Sequence, residues 1–263
     1  MINEWLIYLA TGAFAGTLAG LLGVGGGLII VPILALTFAA QGVNPEIQMH
    51  LAIGTSLATI IFTSLSSVYA HHKHGAVEWP IFRAITPGII IGALAGAFIA
   101  RAIPTLSLRT LFGLFELFVA VQMALSLKPA AHRGLPGRVG MSGAGIVIGA
   151  ISALVGIGGG TLTVPFLLWC NVTIQRAIAT SAAVGLPIAV GGATGFVLSG
   201  WGHHKLPEWS SGYLYWPALL GIVMASTLFA PLGATLAHRL PTVLLKRLFA
   251  LLLFALALRM IVV

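Results

Sequence analysis

The sequence predicts an all-α polytopic membrane protein made of two inverted repeats of about five hydrophobic segments each, with about eight to ten transmembrane helices in all. Three observations carry that prediction: a charge-poor apolar composition, a series of apolar runs of spanning length, and a glycine motif that occurs twice in matching surroundings.

Apolar residues make up 59% of the 263 positions and charged residues 7%, with a mean hydropathy of +1.06. Soluble domains run near a quarter charged, because water must cover their surface. The formal charge of +8 is spread over Lys and Arg placed in ones and twos between apolar segments. A nucleic-acid surface needs such charges clustered on a polar face, so loop anchoring in a bilayer is the reading that fits. A single cysteine, Cys170, excludes an intrachain disulfide and a multi-cysteine metal site.

Apolar runs fall at 4–22, 27–40, 50–70, 82–103 and 108–127, and again at 139–155, 161–171, 177–200, 214–238 and 243–262. A spanning helix needs roughly 20 residues to cross about 30 Å of hydrocarbon. The runs at 27–40 and 161–171 are short for that task, which leaves open whether they cross fully or form re-entrant hairpins. Residues 1–9 contain Glu4 and lack the basic start and small-residue cleavage site of a signal peptide, so they read as the approach to a retained first helix. The most polar stretch is 128–138, KPAAHRGLPGR. It reads as a linker between an N-terminal membrane repeat, 1–127, and a C-terminal one, 139–263.

The duplication rests on residues 16–32, GTLAGLLGVGGGLIIVP, against 149–165, GAISALVGIGGGTLTVP, with about eight identities that include every glycine of the GxGGG core and the closing Val-Pro. AIGTS at 52–56 answers AIATS at 177–181, and Trp79-Pro80 answers Trp216-Pro217. ARAIP at 100–104 answers AHRLP at 237–241.

On alternate sides of such a chain, Lys73, Arg83, Lys128, Arg133, Arg138, Arg176, Arg239, Lys246 and Arg247 oppose Arg101, Arg109, Lys205 and Arg259. The richer side is cytoplasmic by the positive-inside rule, which puts the linker inside and both termini outside. An odd number of segments per half then turns the second half upside down relative to the first. Secondary transporters built this way hold substrate at the repeat interface near mid-membrane, where broken helices aim their positive N-terminal ends at anionic groups.

The candidate substrate-binding residues follow from that expectation. Gly23, Gly25, Gly26 and Gly27, with Gly156, Gly158, Gly159 and Gly160, lack side chains and leave backbone N–H groups free to face an anion; Thr161 adds a hydroxyl where the first copy has Leu28. Close helix packing is the competing reading for any single copy. The run Thr55, Thr59, Thr63, Ser66 repeats at helical spacing with Ser56 alongside, and Thr55, Ser56, Thr180 and Ser181 are assigned to the site. In the second half this stripe fades, and Pro187 is expected to break its helix.

Ionisable residues at membrane depth are functional suspects because burying a charge in lipid is expensive. Glu116 is the clearest case, as a proton-coupling carboxylate, a partner for Arg109 or an interfacial group. His50 and Arg176 stand near the starts of the AIxTS helices, where an anion contact competes with anchoring. The histidines at 71, 72, 74, 203 and 204 lack accompanying carboxylates or cysteines in ligand spacing, so no metal site and no cofactor are assigned. No paired carboxylates or clustered nucleophile and base appear, and the chain has no aspartate, so an enzyme is not predicted.

With GLLGVGGGLIIVP at 20–32, ALVGIGGGTLTVP at 153–165 and AIGTS after the first, the sequence resembles the TauE/SafE family of sulfite-exporter-like permeases over its whole duplicated length. The resemblance implies a permease of a bacterial-type inner membrane that moves sulfite, sulfoacetate or related organosulfur anions, usually outward. Its partners are then a small anionic substrate and the lipid bilayer, with proton or ion coupling open. Alternating access is the expected mechanism. A carboxylate permease and an anion channel are the nearer alternatives, and a metal permease or membrane-embedded enzyme the more distant ones.

Overall fold

The computed structural model describes residues 2–22, 26–73, 75–125, 134–237 and 242–262. Its helices in chain order are α1 (Ile2–Leu22), α2 (Gly27–Ala40), α3 (Gln48–Lys73), α4 (Trp79–Ala102), α5 (Thr105–Ala124), α6 (Arg138–Val155), α7 (Gly160–Trp169), α8 (Ile174–Gly200), α9 (Trp216–Ala237) and α10 (Thr242–Val262). Among the described residues no strand is present. Five helices, α3, α4, α5, α6 and α8, are long and apolar enough to cross a membrane.

The two short runs become short helices. At 1.5 Å per residue, α2 covers about 21 Å and α7 about 15 Å, less than the ~30 Å of a hydrocarbon core. The α1–α2 unit is a hairpin that returns to its own starting end, where Tyr8 Oη donates to Gln41 Oε1 at 3.0 Å. Lipid offers backbone groups no partner, so a helix that stops part-way must be enclosed by protein. Accordingly α2 is buried on nearly every side, from Gly27 through Pro32 and again at Leu34, Ala35, Thr37 and Phe38.

Pro187 does not break its helix: α8 runs unbroken from Ile174 to Gly200 with the proline inside it. A proline removes one i to i−4 bond, which neighbouring helices and local adjustment make tolerable in a membrane protein. Pro32, Pro87 and Pro165 likewise lie within helices.

Small residues bring the helices together. A Cβ at Gly88, Gly92 or Gly96 of α4 would lie 1.9, 2.1 or 2.5 Å from the carbonyl oxygens of Ser142, Ile146 and Ala150 of α6, so the two helices run parallel in backbone contact. Gly12 and Gly16 of α1 meet Ile222 and Ser226 of α9 in the same way. In contrast, α3 and α8 are antiparallel, with Gly54 against Phe196 and Ser64 against Gly185. So are α5 and α10, where Gly113 meets Ala257 and Ile261.

These directions sort the loops into two ends. One gathers the starts of α1, α3, α5 and α9 with Arg101, Arg109, Lys205 and Arg259; the other gathers the starts of α4, α6, α8 and α10 with Lys73, Arg83, Arg138, Arg176 and Arg247. Trp5, Trp201, Trp209 and Trp216 are exposed near the first end, as aromatic residues at a headgroup level would be.

Replacing Gly92 with leucine forces atoms into the Ile146 backbone and is expected to destabilise the protein by about 1–3 kcal/mol. Gly143→Leu, at a position with open space around it, should leave thermal unfolding in detergent unchanged.

Candidate functional site

The second glycine motif is a tight reversal between α6 and α7. Gly156 adopts φ +74°, a left-handed conformation that closes α6, with Ile157 N–H donating to Ser152 O at 3.0 Å and Gly156 N–H to Ala153 O at 3.3 Å. Gly158 follows, Gly159 caps α7, and Gly160 is its first residue. A Cβ at Gly159 would stand 2.5 Å from Ser181 O and 2.9 Å from Gly185 N, so this turn lies against the middle of α8.

Of the first motif, Gly23 and Gly25 lie outside the described residues. Gly26 caps α2 and accepts from the N–H groups of Ile29 and Ile30 at 3.0 and 2.9 Å. Gly27, the first residue of α2, is packed so closely on the other turn that a Cβ there would lie 2.5 Å from Gly156 O and 2.9 Å from Ile157 Cα. The two motifs, separated by about half the chain, touch. The turn lies beside Ser56 and Ile60, about 12 and 18 Å along α3 from its first residue. Both short helices therefore begin at mid-depth and run outward to opposite ends, so the N–H groups that a helix's first turn leaves without an intrahelical partner, and the positive dipole ends, lie at the centre.

The hydroxyls on and around the glycine turns fall into three groups. Ser56 Oγ donates to Gly156 O at 2.9 Å and fastens α3 to the turn, while Ser181 Oγ donates to Ile178 O of its own helix at 2.9 Å. Thr55 and Thr180 act as a matched pair across the halves. Thr55 Oγ1 accepts the Tyr215 N–H at 3.0 Å, and Thr180 Oγ1 accepts the Glu78 N–H at 3.0 Å. Tyr215 and Glu78 each immediately precede a Trp-Pro pair at the start of α9 or α4. Each AIxTS threonine thus holds the opening of a helix in the opposite half.

The third group has no partner among the described residues: Thr161, Thr163 and Ser152 are buried with unpaired Oγ atoms in the α6–α7 hairpin. Thr161 is 8% exposed and is the second residue of α7. Sequence reading missed Thr163 and Ser152. The available signal was asymmetry, because Ser152, Thr161 and Thr163 replace Ala19, Leu28 and Ile30 of the first copy. The rest of the α3 stripe is already engaged or exposed: Thr59 and Thr63 donate to carbonyls of their own helix, and Ser66 is exposed.

The three ionisable candidates stand apart from the glycine turns. His50 Nε2 donates to Ala100 O at 3.0 Å, and its ring lies 5.0 Å from that of Tyr213, tying the start of α3 to the α4–α5 corner. Arg176 pairs with Glu78. Glu116 is fully buried, and neither carboxyl oxygen has a hydrogen-bond partner among the described residues. Arg109 is not that partner, since its Nη2 donates to Arg259 O at 3.4 Å. At the opposite end from Arg176 and Glu78, Lys205 Nζ lies 2.6 Å from Glu46 Oε2 and holds that carboxyl below the usual carboxylate range. Each ion pair joins one half of the chain to the other. Among the described residues no three His, Cys, Asp or Glu side chains group to hold a metal.

Thr55→Val or Thr180→Val leaves a helix-opening N–H without its acceptor and is expected to cost about 1–3 kcal/mol. The corresponding serine variants should restore the melting temperature in detergent, which separates loss of the bond from loss of volume.

A family description, Sulfite exporter TauE/SafE, matches residues 8–260. Among curated relatives, a probable membrane transporter protein of Haemophilus influenzae is 39% identical, with 99% of each chain covered. Another, YunE of Bacillus subtilis, is 29% identical over 91% of this chain and 90% of its own. A third, from Methanocaldococcus jannaschii, is 27% identical over 86% and 81%. No solved structure matches. With glycine turns, paired Trp-Pro openings and a match that runs nearly from end to end, the chain belongs to the TauE/SafE family of membrane transporters.

Proposed function

We propose that this chain is a secondary transporter of a small anion, sulfite or an organosulfur anion such as a sulfonate, that works by alternating access in the export direction. The observation that carries this reading is the meeting of the α2 and α7 openings at mid-depth beside the unpaired, buried Thr161 hydroxyl. Backbone N–H groups and a hydroxyl suit an oxyanion, and two helix dipoles favour its charge without a fixed cation that would hold it too tightly to leave. The family description supports sulfite as the anion and outward movement as the direction.

The two halves are α1–α5 and α6–α10, joined by the linker 128–138. Antiparallel α3 and α8, and antiparallel α5 and α10, support reading them as inverted repeats, because a two-fold axis in the membrane plane reverses every equivalent helix. The excess of basic residues at the linker end supports a cytoplasmic linker, external termini and an inner-membrane location. The anion sits between the openings of α2 and α7, bound by N–H groups of Gly26, Gly27, Gly159, Gly160 and Thr161 and by the Thr161 hydroxyl. Thr55, Ser56, Thr180 and Ser181 shape the cavity through their backbone bonds. The Glu46–Lys205 and Glu78–Arg176 pairs close the two ends, and rocking of the halves opens one while the other stays shut.

Sulfite efflux from proteoliposomes should saturate with concentration. Linear, non-saturating flux would mean a channel, and no movement of sulfite, thiosulfate or a sulfonate would overturn the assignment. Thr161→Val should raise the KM for sulfite by about ten- to a hundredfold, the effect of one lost hydrogen bond to a charged group. Its melting temperature should hold, since that hydroxyl bonds to nothing else in the described residues.

A further inference from the structure

Glu116 has no role in the site just described, and its surroundings ask for one. It stands 11 residues beyond the first residue of α5, about 17 Å into a 20-residue helix. The buried face of that helix is Leu108, Phe112, Glu116, Val119 and Ala120, so the carboxyl is turned into protein and away from lipid. No hydrogen-bond partner among the described residues meets either oxygen.

The duplication supplies an internal control. Aligned on ARAIP and AHRLP, residues 105–120, TLSLRTLFGLFELFVA, match 242–257, TVLLKRLFALLLFALA, and Glu116 falls opposite Leu253. Leu253 is as fully buried as Glu116. The fold therefore accepts an apolar side chain at this position, and packing alone gives no reason for an acid. An isolated ionised carboxylate in such surroundings is costly, whereas the same group opened to water ionises readily. A movement that alternately encloses and wets it must move a proton on and off it.

Charged and titratable groups on the helices around it lie toward the helix ends. On α3 these are His50, Tyr69, His71, His72 and Lys73; on α6, Arg138; on α10, Lys246, Arg247 and Arg259; and on α5 itself, Arg109. Opposite Glu116 the antiparallel α10 presents the apolar stretch around Leu253 and Ala257. A groove of about 350 Å³ between α5 and α10, lined by Ala120, Val121, Ala124, Arg247, Leu251 and Phe254, reaches Ala120, one turn from Glu116 on the same face.

We propose that Glu116 is the proton-carrying group of the transport cycle: its carboxylate takes a proton from water on one side in one arrangement of the halves, holds it while enclosed, and releases it to water on the other side in the opposite arrangement, so that one proton crosses the membrane for each anion moved. This rests on the transport reading above. The test uses labelled sulfite in proteoliposomes, with protein-free vesicles subtracted for leak. Across about one pH unit, coupling to one proton shifts the steady-state sulfite ratio about tenfold. Glu116→Gln and Glu116→Leu should abolish that shift and the accompanying proton flux, while sulfite exchange without a gradient continues at a rate near that of the unsubstituted protein. Glu116→Leu should melt no lower than the unsubstituted protein, as the Leu253 copy indicates. A full tenfold shift in Glu116→Gln overturns the proposal, and so does an unsubstituted protein that carries sulfite with no response to the gradient. If the unsubstituted protein carries no sulfite, thiosulfate or sulfonate, the transport reading fails first and the coupling falls with it.

Discussion

Two helices that stop at mid-depth leave N–H groups where hydrocarbon offers no partner, and the fold is arranged to enclose them. The enclosure is made by backbone contact more than by side chains. Gly27 rests on Gly156 and Ile157, and Gly159 rests on Ser181 and Gly185. Approaches this close require glycine, which explains why the motif is preserved in both copies although its flanking residues differ. The parallel pairs α1–α9 and α4–α6 flank this centre on the same principle, with small residues letting carbonyl oxygens come within reach of a neighbouring backbone.

Much of the architecture was legible before any coordinates, because in a membrane protein a long apolar run is nearly sufficient to specify a helix. Expected and observed segments agree to within a few residues, with α4 starting at Trp79 because its Trp-Pro opening belongs to the helix. The shortness of α2 and α7 was likewise visible in the runs themselves. Pro187 was misjudged, since the enclosure of a helix by its neighbours cannot be read from the helix alone.

The site was less legible, and the reason is tertiary. Helical spacing says which face Thr55 occupies, but not that a backbone N–H from residue 215 arrives there. Spacing also cannot tell Thr59, which turns back on its own helix, from Thr161, which has no partner among the described residues. Comparing the repeats with each other was the stronger instrument. The unpaired hydroxyls of the second copy replace apolar residues of the first, and the buried acid of the first copy replaces a leucine of the second. Near-symmetry provides the frame, and departures from it mark where chemistry is concentrated.

The reciprocal threonine clamps carry a further consequence. Thr55 holds the start of α9 and Thr180 holds the start of α4, so neither half contains both members of either bond. A polypeptide of half this length could complete the same bonds only by meeting a second copy in the opposite orientation. The two bonds are therefore a seam, and pulling α3 away from α9 or α8 away from α4 would strip a helix opening of its acceptor on each side.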